Sequence, residues 1–348
     1  MSEQEDTILE HLQRRGVSRR SFLKFCTLAA SSMALPLSSI AAFADALGAS
    51  PRPKVIWLSA QECTGCSETL LRAWDHAIDN HGNPNYSSTT LQDLLLDMIS
   101  LDYHNTLMAP SGLSAEQSRL DSIVGGKQIV ILDGSVPLDQ KAAWSAVGGR
   151  TILDVLKESV VGADLIIAVG NCATFGGLPG AYPNPTNAHG MIHVSQDALG
   201  NNVITDDLIS LLGNSHPPVI NIPGCPPIPE VLTGVIVNFI TGTTKGQVPA
   251  LDNLHRPTEF YASTVHQNCS RLAHFRAGKF ATSFDDEEAR QGGCLEKLGC
   301  KGPVTYNACA TTKWNMGTSY PMLSGHGCIG CSEPSFWDRP GGFYKPLF

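Results

Sequence analysis

The sequence predicts an α/β fold, a doubly wound parallel sheet followed by a small irregular domain built around metal. Three observations predict it. Short continuous apolar runs recur through the first 240 or so residues with helical spacing between them, as parallel strands covered on both faces require. After about Gly246 the apolar runs shorten while Gly and Pro become frequent. Ten of the eleven cysteines lie beyond residue 60, in clusters, and thiols gathered in that number are rarely there for packing.

Residues 18–24 read Ser-Arg-Arg-Ser-Phe-Leu-Lys, a twin-arginine signature, and the apolar stretch 25–43 after it is broken by Ser and Pro36. Small-residue sites of the A-x-A kind follow at 42–44 and 44–46. Residues 1–46 are therefore expected to form a cleaved twin-arginine signal peptide, the alternative being an anchoring helix that is kept. That export route carries folded proteins with their cofactors already inserted.

Residues 55–59 (V-I-W-L-S) then predict a first strand and 67–78 a helix. Residues 128–133 (Q-I-V-I-L-D) and 164–169 (D-L-I-I-A-V) predict buried strands, with a helix over 151–160 between them. A further strand is expected at 218–222 (P-V-I-N-I), followed by a helix from about 229 to 240. Strands alternating with helices make an open doubly wound sheet over 47–245, and 246–348 forms the second domain.

A formal net charge of −8, unchanged by removal of residues 1–46 with their five acids and five bases, speaks against a nucleic-acid partner. After residue 46 no apolar run is long enough to span a bilayer. An even cysteine count in an exported chain suggests disulfides. Against that stand a chain long enough to bury a core unaided, two CxxC pairs (Cys63/Cys66 and Cys328/Cys331), and folding before the oxidising compartment is reached.

Cys63 and Cys66 follow the first strand, Cys172 follows the run 164–169, and Cys225 follows 218–222. Open α/β sheets bind their ligands just beyond the C-terminal strand ends. Four thiolates from three such loops match a [4Fe–4S] cubane, with a structural Cys₄ zinc site as the plainer reading. In the second domain His266, Cys269, Cys294 and Cys300 make a four-ligand set, and Cys309, Cys328 and Cys331 leave three, which suits a [3Fe–4S] centre. The division uses ten cysteines and one histidine with none left over; His326 is expected to support Cys328 from behind rather than to bind metal.

E-C-T-G-C-S-E at 62–68, G-N-C-A-T-F-G-G at 170–177, P-G-C-P-P at 223–227, H-x-x-C at 266–269 and G-C-I-G-C-S-E-P at 327–334, in this order, closely resemble the small subunit of [NiFe] hydrogenases. The resemblance covers essentially all of the chain after the signal. It implies a flavodoxin-like first domain and a wire of three clusters: a proximal [4Fe–4S] on Cys63, Cys66, Cys172 and Cys225, a medial [3Fe–4S] on Cys309, Cys328 and Cys331, and a distal [4Fe–4S] on His266, Cys269, Cys294 and Cys300. It also implies a large subunit holding the Ni–Fe centre that splits H₂, so that this chain carries electrons and has no catalytic residue of its own. Glu62 and Thr64 resemble positions of a proton relay, the bland alternative being that Glu62 caps a turn.

Oxygen-tolerant members resemble this pattern but carry two extra cysteines, where this chain has Gly65 and Gly177, so an oxygen-sensitive enzyme is expected. Pro321 stands where a fourth medial ligand would otherwise lie. No spanning helix follows residues 336–338, which favours a soluble periplasmic complex or one tethered through another subunit. The redox partner is then a cytochrome c or a membrane cytochrome b or iron–sulfur subunit. A stand-alone multi-cluster carrier and a zinc-stabilised binding module are the competing classes. The quinone-side cluster subunit of respiratory complex I shares a related fold but lacks the second cysteine-rich domain.

Overall fold

The computed structural model describes residues 6–32, 38, 40–72, 98–139, 144–196, 202–213, 215–241, 248–315, 317–334, 336–338 and 342–347. Three helices come first: α1 (Ile8–Arg14), α2 (Arg19–Ser32) and α3 (Ile40–Gly48). Then come β1 (Lys54–Ser59), α4 (Gly65–Leu70), β2 (Ser100–His104), α5 (Leu113–Ile123), β3 (Ile129–Asp133), α6 (Ile152–Ser159), β4 (Leu165–Val169), α7 (Gly170–Phe175), β5 (Val219–Ile222) and α8 (Pro229–Thr241). The helix expected over 67–78 is described only through Leu70, with a turn to Arg72; its remainder lies outside the described residues.

The five strands form one sheet in the order β2-β1-β3-β4-β5, parallel throughout. This is the flavodoxin-like order, which reverses between β1 and β3. The two central strands β3 and β4 are buried along their whole length, which explains their unbroken apolar runs. Period-2 alternation sorts their side chains onto two cores. Ile56, Leu58, Val130, Leu132 and Ile166 pack against α6, whose Ile152, Val155 and Leu156 supply its inward stripe. Thr151 caps that helix by accepting the Asp154 amide. Val55, Trp57, Ile129, Ile131, Ile167 and Ile220 face the other way, onto α8. At about 1.5–3 kcal/mol per buried aliphatic side chain, these two layers hold the sheet together.

The second core does not stop at the sheet. It runs on through Tyr261, Val265, Leu295, Cys300, Cys309, Tyr320 and Cys328, so the irregular C-terminal part is fused to the α8 side of the sheet. Among the described residues of that part only short turns of helix occur, including Thr258–Tyr261, Val265–Asn268, Leu272–Arg276, Gly302–Val304 and Ala308–Ala310. The N-terminal helices use the same face: Ile8, Leu12, Phe22, Cys26, Phe43 and Leu47 are buried in it, while Arg19 and Arg20 stay exposed. Among the described residues no helix is long and apolar enough to cross a membrane.

Candidate cluster sites

The loop after β1 carries Cys63, and Cys66 sits in the first turn of α4; Thr64 between them takes a left-handed backbone, with φ of 65°. α7 starts directly after β4 and brings Cys172, and the loop after β5 brings Cys225. These loops are tied together by the Asn171 amide, which donates to the Gly224 carbonyl at 2.8 Å. Cys66 is buried and Cys172 half-buried, whereas Cys63 and Cys225 are exposed, so this group has one open face.

Two glycines are required by the approach of sulfur. A Cβ on Gly170 (φ +86°) would stand 2.5 Å from Cys66 Sγ, and one on Gly177 (φ +55°) 2.5 Å from Cys172 Sγ. Both positions are left-handed, the conformation glycine adopts without cost. At Gly65 a Cβ would stand 3.2 Å from Cys63 Sγ.

The four thiols feel one another. Burial pushes Cys66 well above its ordinary range, and the charges of Asp133, Cys172 and Cys63 add to it. Burial takes Cys172 to about 12, with Cys225 and Cys63 contributing and the Leu178 amide opposing. Cys225 is raised by burial and by Cys63. Four thiolates are stable here only beside positive charge.

The C-terminal part forms two further groups. Cys309 lies in the turn Ala308–Ala310 and is taken to about 12 by burial, then by Cys328. Cys328 also reaches about 12, burial first, then Cys300 and Cys331, with the Thr305 hydroxyl and the Gly330 amide lowering it. The Cys331 thiol reaches about 12 through burial and Cys309, and receives the Cys225 amide.

His266 lies in the turn Val265–Asn268, and Cys269 closes it. Cys294 is held by a bridge to Phe280. A Cβ on Gly302 would touch Cys300 Sγ at 3.4 Å and His266 Cβ at 3.7 Å, which sets these two side chains beside the same glycine. Cys294 and Cys300 are raised chiefly by burial; the Glu296 amide serves the first, the Gly302 and Cys328 amides the second. Burial, then Arg276, lowers the His266 pKa and favours the neutral imidazole that binds metal. Phe275 stands edge-on to that ring, with centroids 4.6 Å apart.

All eleven cysteines carry free thiols. Among the described residues no three His, Cys, Asp or Glu side chains converge on a point as a single ion requires. Grouped thiols supplied with backbone N–H donors fit a polynuclear iron–sulfur cluster.

Glu62 accepts from the Thr64 backbone amide and lies 3.5 Å from its hydroxyl, the turn contact; burial raises its carboxyl. His326 does not back Cys328 as expected: its Nδ1 bonds the Gly327 carbonyl at 2.8 Å and its ring stacks on Phe284. Asp133 was not legible as a site residue. It ends β3, is 2% exposed and lies 3.5 Å from the Ser67 hydroxyl, which in turn meets His104 Nε2 at 3.1 Å. Burial, then Glu62, pushes its carboxyl up to about 7. An acid ending a wholly apolar strand is the signal that marks it.

Residues 261–344 match the family described as the C-terminal part of the NiFe/NiFeSe hydrogenase small subunit, and 63–239 match that of the NADH ubiquinone oxidoreductase 20 Kd subunit. The hydrogenase-1 small chain of Citrobacter freundii is 43% identical over 343 residues, spanning 98% of this chain and 82% of that one. The uptake hydrogenase small subunit of Cupriavidus necator is 44% identical over 345 residues, spanning 98% and 86%. Among solved structures, a chain of the reduced, active Ni-Fe-Se hydrogenase from Desulfomicrobium baculatum superposes with a TM-score of 0.70 at 29% identity, covering 85% of this chain and 99% of its own. A chain of the [NiFeSe] hydrogenase from Desulfovibrio vulgaris Hildenborough gives 0.68 at 33%, covering 84% and 98%.

The chain thus belongs to the small subunits of NiFe hydrogenases. It is the electron-transfer subunit, and hydrogenase activity belongs to the complex with a large subunit.

Proposed function

We propose that this chain passes electrons between the Ni–Fe site of its large subunit and an external acceptor through three clusters, in two domains at 47–245 and 246–348. Cys63, Cys66, Cys172 and Cys225 would hold a proximal [4Fe–4S] cluster, Cys309, Cys328 and Cys331 a medial [3Fe–4S] cluster, and His266, Cys269, Cys294 and Cys300 a distal [4Fe–4S] cluster. When bound, such clusters accept and release one electron at a time.

The observation that carries this reading is the succession of the three thiol groups, each linked to the next by a backbone amide on sulfur. The Cys225 amide serves Cys331, joining the first group to the second. The Cys328 amide reaches Cys300 Sγ at 3.3 Å, joining the second to the third. The Asn171 side chain further fastens the first group to the Cys331 and Glu333 carbonyls, at 3.1 and 3.0 Å.

The open face at Cys63, Thr64 and Cys225 supports docking of the large subunit there. Glu62, raised by burial and bonded to Thr64, is suited to hold a proton at that face. The half-exposed His266 and Cys269 support electron exit toward a cytochrome c or a membrane cytochrome b or iron–sulfur subunit. Export by the twin-arginine route to the periplasm is supported by the exposed Arg19 and Arg20. Gly65 and Gly177 favour an oxygen-sensitive enzyme.

Metal analysis with EPR on the purified complex tests the reading. About eleven irons in this chain, a three-iron signal in the oxidised state and nickel in the partner are expected. A colourless, zinc-containing chain would overturn it.

A further inference from the structure

Each junction between thiol groups holds a buried cation. Arg256 is 4% exposed. Its Nε lies 2.8 Å from Asp252 Oδ2 and its Nη1 3.4 Å from Glu333 Oε1. The guanidinium stands 5.6 Å from the Tyr261 ring centroid and 5.4 Å from that of Tyr306. Tyr261 donates its hydroxyl to the Pro223 carbonyl at 2.8 Å, two residues before Cys225, and Glu333 follows Cys331 by two residues. Arg256 therefore stands between the first and second groups. Lys301 is 1% exposed and follows Cys300 directly. Its amide donates to the Cys328 carbonyl at 2.7 Å, and its Nζ donates to the Lys345 carbonyl. It stands between the second and third groups.

We infer that Arg256 and Lys301 are positioning residues that hold up the reduction potential of the medial cluster. The inference rests on the ligand reading above. Burying a charge is costly, and both cations are buried away from the open face. An electron arriving at the medial group adds negative charge in a medium of low dielectric, where nearby fixed charges act strongly. Lys301 acts from between the groups: its stem lies beside Gly330, between Cys328 and Cys331, while its charge bears on the Cys300 thiol. Arg256 favours that electron by neutralising Glu333, whose carboxylate bears on the Cys331 thiol. Removing Arg256 takes one positive charge from beside Glu333 and Asp252; removing the Glu333 charge takes one negative charge from beside Arg256. The two substitutions break one ion pair yet change the local charge in opposite directions.

The test is a redox titration of the intact complex, followed through the three-iron EPR signal. Arg256→Gln and Lys301→Met should each shift the oxidised-to-reduced ratio at fixed potential at least tenfold toward oxidised, a fall of about 59 mV in the one-electron midpoint. Glu333→Gln should raise the midpoint, and Arg256→Lys should restore the unaltered value. Loosened packing would move Arg256→Gln and Glu333→Gln alike, so shifts of the same sign, or none with the signal intact, overturn the inference. If Arg256→Gln fails to assemble, opposite shifts in Lys301→Met and Glu333→Gln still support it, and their absence still overturns it. An unaltered complex without the three-iron signal would instead overturn the ligand reading beneath.

Discussion

Replacing Gly177 with alanine should displace Cys172 and perturb the proximal site while leaving the protein folded. The added Cβ would lie 2.5 Å from Cys172 Sγ, 2.6 Å from its Cα and 2.8 Å from its amide nitrogen. A side chain held left-handed costs about 1–2 kcal/mol, and forcing backbone aside costs about 1–3 kcal/mol more. The sum, roughly 2–5 kcal/mol, is smaller than the 5–15 kcal/mol stability typical of a folded protein. The cheapest relief moves Cys172, because its own atoms are the obstacle. Gly148→Ala separates the two costs: its φ is +57°, close to that of Gly177, but nothing lies within 4 Å of the added Cβ. The assay is iron content of the purified complex together with EPR. Gly177→Ala should alter the proximal EPR signal and keep the three-iron signal, while Gly148→Ala should keep both signals and lose only about 2–8 °C in Tm. Gly177→Ala with full iron and an unchanged proximal signal would refute the steric argument.

Changing both Arg19 and Arg20 to Lys should leave the chain in the cytoplasm on cell fractionation; normal periplasmic amounts would sink the export reading. The purified complex should stop oxidising H₂ in air, and sustained turnover there would contradict the reading of Gly65 and Gly177. Arg119, fully buried, bonds Glu116, Glu158 and the Ser159 hydroxyl. Arg119→Met should destabilise by about 3 kcal/mol, the low end for a broken buried pair because both acids keep part of their surface in water. Hydrogen bonds from Arg119 hold both carboxyls below their ordinary 4.5. Their stabilisation is therefore present above pH 4.5 and lost as pH falls through the lowered values, so Arg119→Met should flatten the acid side of the stability profile. Finally, complex prepared without iron should be cut by protease first within 261–344, with the sheet protected; equal protection of both parts would argue against iron as the organiser of that part.

The sheet was legible because four of its strands are dense in Val, Ile and Leu. β2 was not: Ser100, Asp102 and His104 interrupt its pattern, since it is the edge strand and its first three residues are only half-buried. Cysteine is rare and its chemistry narrow, so the sequence at least proposes a sorting of the thiols into groups. It does not single out Asp133, Arg256, Glu333 or Lys301. A charged residue looks like surface until the fold pairs it, and the partners of Arg256 lie 4 residues away at Asp252 and 77 away at Glu333. His326 misled for the converse reason: proximity in sequence to Cys328 says nothing about where a side chain packs.

The contrast between the two halves follows from where backbone amides find acceptors. In the sheet they pair with neighbouring strands, and cysteines are needed only at the strand ends. Beyond residue 250 regular structure is reduced to single turns, and a buried amide without a partner is costly. There the sulfurs serve as acceptors: Cys269 takes the Arg271 amide at 3.4 Å and Cys300 takes that of Cys328 at 3.3 Å. A thiol raised by burial, as Cys300 is, is a neutral, weak acceptor, whereas a thiolate on iron is a strong one. A thiolate holding a cluster would thus stand in for the missing ladder, and binding iron and ordering the chain would become one event. That coupling would make the amide contacts between groups serve both the packing of the chain and the path of the electron.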